Sequence, residues 1–141
     1  MRYRAKFEAD GSGFLVTFPM VPEAISGGAN EAEASANAAD ALEIALLTYA
    51  ADGRVLPEDG PLPTMDGNYR LISISAATAA KLALITAFRD SGLTQVALAA
   101  KLGKAEGEIR RMLNPYHATK LASIDAALRA LGKRLVVTVE E

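Results

Sequence analysis

Histidine and cysteine are the side chains most often recruited for chemistry, and this chain holds a single histidine, His117, and no cysteine in 141 residues. Without cysteine, neither a disulfide framework nor a thiolate metal site can be built. His117 could serve as a general base, but no serine lies at an interpretable spacing to be its nucleophile. It follows Asn114-Pro115, and is read as a loop residue that touches a phosphate or caps the helix beginning near Lys120. Glu106 and Glu108 form a carboxylate pair of the kind used in acid–base work. They fall in the first turn of an expected helix, however, where acids complement the positive end of the helix dipole. No catalytic residue, metal ligand or cofactor is therefore assigned.

The polar residues with an interpretable arrangement lie in residues 93–114, LTQVALAAKLGKAEGEIRRMLN, and the chemistry they suit is the binding of DNA. Arg110 and Arg111 carry positive charge for phosphates and guanines, and Gln95 and Lys104 are placed to donate to phosphate. Thr94 precedes the first helix as its side-chain cap. Glu106 can only accept, from a cytosine amino group for example, or repel phosphate. Gly107 would cost a helix about 1 kcal/mol relative to alanine, so it either lets the backbone approach DNA or is tolerated in a packed helix. Asn114 faces outward with Glu106, Gly107 and the two arginines.

These residues need two short helices and a tight turn to hold them. Val96, Leu98, Ala99 and Leu102 recur at helical spacing, Gly103 ends the first helix, and a second runs from about residue 105 to residue 113 with Ile109, Met112 and Leu113 turned inward. Ala99 lies four residues before Gly103 and Ile109 six after it. That is the spacing of a helix-turn-helix, whose second helix enters the major groove. The other reading of the same pattern is a structural helical hairpin that never meets DNA.

Charge divides the chain in two. Residues 1–78 hold 5 Lys+Arg and 11 Asp+Glu, a balance of −6, whereas residues 79–141 hold 10 and 6, a balance of +4. The basic half suits phosphates, and the acidic half a basic protein. Half of the residues are hydrophobic and 23% are charged, a globular composition. The first ten residues lack the apolar core of a signal peptide and no run approaches a membrane span, so a soluble, cytoplasmic protein is expected.

In chain order, residues 2–9 alternate as a half-buried strand with Tyr3, Ala5, Phe7 and Ala9 on one face. Asp10-Gly11-Ser12-Gly13 turns into a second strand over residues 14–18, and Ile25-Ser26 makes a short third before Gly27-Gly28. Asn30 caps a long helix, with Glu33 able to bond back. Its apolar stripe is Ala34, Ala38, Ala41, Leu42, Ala45, Leu46 and Tyr49, and Asp52-Gly53 ends it. Residues 56–67, rich in proline, form a surface loop. Residues 69–75 make a fourth strand, and an alanine-rich helix follows from about residue 76 to residue 88 or 89. After the last helix Leu135, Val137 and Val139 alternate with Arg134, Val136, Thr138 and Glu140 as a closing strand. A lone strand leaves its backbone groups unsatisfied, so a second copy of the chain is expected to pair with it, giving a homodimer or homotetramer through those three residues. The fold class is α+β, with units at residues 1–75 and 76–141.

The opening alternating strand, DGSGFLVTFP, the glycine pair in SGGAN, NEAEASANAADALEIAL and ADGRVLPEDGPLP resemble the HicB family of antitoxins in order and spacing, and LNPYHATKLASIDAALRALGKRL is similar to the segment after the helix-turn-helix in its DNA-binding members. The likeness spans essentially the whole chain. The chain departs from the family pattern after Phe18-Pro19, where it has Met20 and Glu23-Ala24 in place of an acidic residue and a Gly-Cys. The resemblance implies a type II toxin–antitoxin system: a front domain of partial, inactive RNase H-like β-β-β-α-β fold that neutralises a HicA-like mRNA-cleaving toxin, and a back domain that represses the shared operon. Inactivity agrees with the residues, because a metal nuclease needs converging carboxylates and the front strands offer only Glu8 near an edge. A stand-alone repressor whose front domain binds a ligand or another protein is the alternative reading, and an RNase H-like nuclease a more remote one.

Overall fold

The computed structural model describes residues 1–59 and 67–140, and the chain divides into two compact units, Met1–Ser75 and Ala76–Glu141. The first unit holds β1 (Arg2–Asp10), β2 (Gly13–Thr17), β3 (Ile25–Gly28), α1 (Glu31–Ala51) and β4 (Tyr69–Ser73). Its strands form one antiparallel sheet in the order β3-β2-β1-β4. Alternation decides which face is covered. Tyr3, Ala5 and Phe7 of β1, Val16 of β2 and Ile72 of β4 are buried with the α1 stripe of Ala34, Ala38, Leu42, Ala45, Leu46 and Tyr49. Ala9, at the hairpin end of β1, is exposed instead.

The glycine pair lies inside β3 rather than after it: Gly27 pairs with Leu15 and Gly28 with Phe14. Close approach explains the residue type. A Cβ on Gly28 would lie 2.5 Å from the backbone nitrogen of Ala34, and one on Gly27 would lie 2.5 Å from the carbonyl oxygen of Phe14. The first turn of α1 therefore rests directly on the strand. Asn30 caps that turn, its Oδ1 accepting from Glu33 N at 2.9 Å. Glu33 reaches back as expected, but its Oε1 accepts from Ala29 N, one residue before the cap. Of the proline-rich loop, residues 60–66 lie outside the described residues; before them, Tyr3 Oη donates to Pro57 O at 2.5 Å.

The second unit is helical: α2 (Ala76–Ser91), α3 (Gln95–Leu102), α4 (Glu106–Met112) and α5 (Leu121–Ala130). Leu84, Leu98, Ile109, Ile124 and Leu128 make its core, each at most 2% exposed. Helix α2 runs two residues beyond Arg89. Ser91 Oγ donates to Phe88 O and accepts from Leu93 N, which carries the chain through the turn to α3.

The closing segment is expected to pair with a second copy, and one copy alone is described. Residues 133–140 form no strand within the chain, and Leu135 leaves the expected face to pack against the helical core. Val137 and Val139 stay open, at 60% and 95% exposure. Alternation supplies a strand-like pattern, but a strand exists only once a neighbouring backbone completes its ladder. No described helix is long and apolar enough to cross a membrane.

Candidate nucleic-acid interface

Helix α3 begins where a threonine hydroxyl can replace a missing backbone partner. Thr94 Oγ1 accepts from Ala97 N at 3.0 Å, which places Gln95 at the first helical position. Gly103 ends the helix at φ 63°, a left-handed conformation that costs glycine nothing, and Lys104 N folds back to Ala99 O at 3.0 Å. Ala99 and Ile109 are both buried in one core, against which the two helices pack. Val96 departs from the expected apolar set, being 60% exposed.

Helix α4 spans seven residues and follows Ala105, whose side chain gives no capping bond. Ile109 and Met112 hold its inner face. Glu106, Arg110, Arg111 and Asn114 are exposed and Gly107 is half-buried. A Cβ on Gly107 would meet only Arg111 Nη1, at 3.7 Å. The Arg111 guanidinium thus lies back over the glycine, one turn away, and packing alone does not demand glycine there. Lys104, half-buried, is held by the exposed Glu108 in an i,i+4 ion pair of 3.5 Å. Such pairs are worth little to stability and exchange readily for a phosphate.

Past α4, Asn114 does not simply face outward. Its Oδ1 accepts from Tyr116 N at 3.0 Å and its carbonyl from His117 N at 3.1 Å, so it organises the loop that follows. His117 is exposed and does not cap α5, which begins after Lys120 with no side-chain capping bond. Among the described residues no cluster of three His, Asp or Glu side chains could hold a metal ion.

Two residues with structural work were missed in the sequence. Lys81 is buried at 4% exposure, its Nζ donating to Met112 O at 2.7 Å and to Thr119 Oγ1. Desolvation pulls its ammonium below the usual lysine value. The signal was a charge on the otherwise apolar stripe of Ala80, Leu84 and Ala87. In the first unit Glu23, at the point where the chain departs from the HicB pattern, accepts from Tyr49 Oη at 2.7 Å and pairs with Arg54 at 3.3 Å. Arg54 in turn lies 3.9 Å over the Tyr49 ring. The tyrosine bond, aided by Arg54, holds the Glu23 carboxyl below the ordinary carboxylate range, and the same bond raises Tyr49. This network floors a groove of about 350 Å³ whose rim carries exposed Ile25 and Ile44.

No family model matches the chain. Curated relatives do, along nearly its whole length. It is 38% identical over 136 residues to Antitoxin HicB of Escherichia coli K12, covering 96% of each protein. It is 39% identical over 135 residues to Antitoxin HicB 2 of Photorhabdus laumondii, covering 96% of this chain and 94% of that one. With Antitoxin HicB of Pseudomonas fluorescens it shares 34% identity over 121 residues, 85% of this chain and 81% of that protein. At that identity and coverage, the chain belongs to the HicB antitoxin family.

Proposed function

We propose that the chain neutralises a HicA-like, mRNA-cleaving toxin with its first unit and represses its own operon with its second, acting as a cytoplasmic homodimer or homotetramer. Membership of the antitoxin family makes it a component of a toxin–antitoxin pair. The division of labour is supported by charge, since the first unit carries the balance of −6 that a basic RNA-binding toxin would complement. The observation that carries the DNA half is the exposed pair Arg110 and Arg111 on the second of two short helices whose Ala99 and Ile109 are buried in one core. Helix α4 would enter the major groove, with Gln95, Lys104 and Thr94 on the flanking phosphates and Asn114 bordering the groove. Glu106 and Gly107 would face the bases. Two copies joined through the open residues Val137 and Val139, with Leu135 anchoring the segment to its own core, would present two such helices to a palindromic operator. The role is one of binding and needs no catalytic residue.

Two measurements test the two halves separately. Gel-shift titration with the chain's own promoter should give a saturable, sequence-specific complex. Co-expression of residues 1–75 with the neighbouring toxin should restore growth. Rescue by the full chain only would show that neutralisation needs both units.

A further inference from the structure

Among the described residues Lys81 is the one charged side chain in the buried class, and its surroundings are more particular than an ion pair. It rises from α2, beside Ala80 and Leu84, into the core of the second unit. Its Nζ donates to Met112 O at 2.7 Å, lies 3.5 Å from Arg111 O and donates to Thr119 Oγ1. An ammonium has three hydrogens, and three acceptors surround this one. Two are last-turn carbonyls of α4; Arg111 O also accepts from Asn114 N at 3.2 Å, so the carbonyl that depends on the ammonium is that of Met112. The third stands just ahead of Lys120, where α5 begins.

The need for such a tie follows from α4 itself. Seven residues make a helix that is marginal without outside support, and its N-terminus has no side-chain cap. Ile109 and Met112 decide which side of the helix faces the core but leave the setting of its last turn and of the loop beyond it loose, because apolar contacts are not directional. A buried ammonium against the negative end of the helix dipole is directional, and its 2.7 Å bond holds the carbonyl of Met112, the residue that follows the two outward arginines. We infer that Lys81 is a positioning residue for DNA contact, fixing the last turn of α4 and the loop of residues 114–119 so that Arg110 and Arg111 are aimed at the operator. The inference rests on the DNA reading above. An apolar side chain of equal length could fill the space and leave the core intact, as often happens when buried charges are replaced. What it could not supply is the orientation.

The full-length chain offers a direct test, because it contains no cysteine. A Lys81→Cys chain alkylated while unfolded with 2-bromoethylamine regains an ammonium at lysine's reach. The same chain alkylated with 1-bromopropane carries a neutral side chain of the same shape. After refolding, the propyl protein and Lys81→Met should lose at least tenfold in operator affinity. Their amides over residues 110–119 should exchange at least tenfold faster, relative to core amides such as Leu84 and Leu128. The aminoethyl protein should recover both properties. Equal behaviour of the propyl and aminoethyl proteins overturns the inference. Should the neutral variants fail to refold, Thr119→Val removes one acceptor from the same tie and should give a smaller loss in the same segment; an unaltered exchange pattern there overturns the inference equally. If the unaltered chain does not bind its promoter, the DNA reading fails and the role in DNA contact falls with it. That outcome is told apart by the exchange pattern, which reports on α4 without DNA.

Discussion

Exchanging both Arg110 and Arg111 for alanine should cost the chain most of its hold on DNA and little of its fold. Both side chains are exposed, whereas the neighbouring Ile109 and Met112 carry the burial that keeps α4 in place. If each arginine neutralises one phosphate, a dimer loses four contacts. The slope of log affinity against log salt should then become shallower by roughly 3.5. At physiological salt each released counterion is worth roughly 1 kcal/mol, so the four together amount to about 4 kcal/mol, a thousandfold in affinity. Fluorescence anisotropy with labelled promoter DNA, repeated between about 50 and 200 mM salt, measures slope and affinity together. Circular dichroism on the same samples checks the helices. An unchanged slope in a folded variant would remove these arginines from the interface, and with them the observation on which the DNA half of the function rests. A loss of affinity at constant slope would assign them to base contacts instead.

Gly28→Ala should destabilise the first unit by about 1–3 kcal/mol, as overpacking does, because the added carbon meets the backbone of Ala34 at 2.5 Å; a urea midpoint equal to that of the unaltered chain would mean that α1 does not rest on β3 this closely. Glu23 has its folded-state carboxyl depressed from 4.5, so its contribution to stability is present above that value and fades as pH falls through the lower folded value. Glu23→Gln should therefore flatten the acid limb of thermal stability against pH, and identical limbs in both chains would rule the Tyr49–Glu23–Arg54 network out in solution. Replacing Val137 and Val139 with lysine, which spares the packing of Leu135, should reduce the oligomer seen by light scattering; an unchanged mass would place the interface elsewhere.

Periodicity and turn chemistry made most of the fold legible. The strands, the Asn30 cap and the Gly103 turn each depend on neighbours within about four residues, where sequence pattern acts directly. The departures share the opposite property. Gly27 and Gly28 read as punctuation, because the pattern of a single segment cannot show that Leu15 and Phe14 pair with them or that α1 presses on Gly28. Leu135 belongs to an alternating run, and only the packed helices reveal that it turns inward.

The candidate interface divides along the same line. Which face of α4 is exposed was readable, since Ile109 and Met112 fix the inner side of a short helix and Arg110 and Arg111 must then take the outer one. How that face is held was not. Lys81 lies 30 residues before Arg111 and 38 before Thr119, and a lysine in a helix is ordinarily solvated. Its burial becomes intelligible only when the carbonyls of α4 arrive above it, because a desolvated ammonium is tolerable where acceptors replace its water. Asn114 carries the same lesson at shorter range. Its side-chain oxygen accepts from Tyr116 N, which orients the amide and leaves its nitrogen as the donor for a base or phosphate. Under the proposed function, recognition by this unit would thus depend on two layers: an outer set of donors chosen by exposure, and an inner set of polar ties that decides where those donors point.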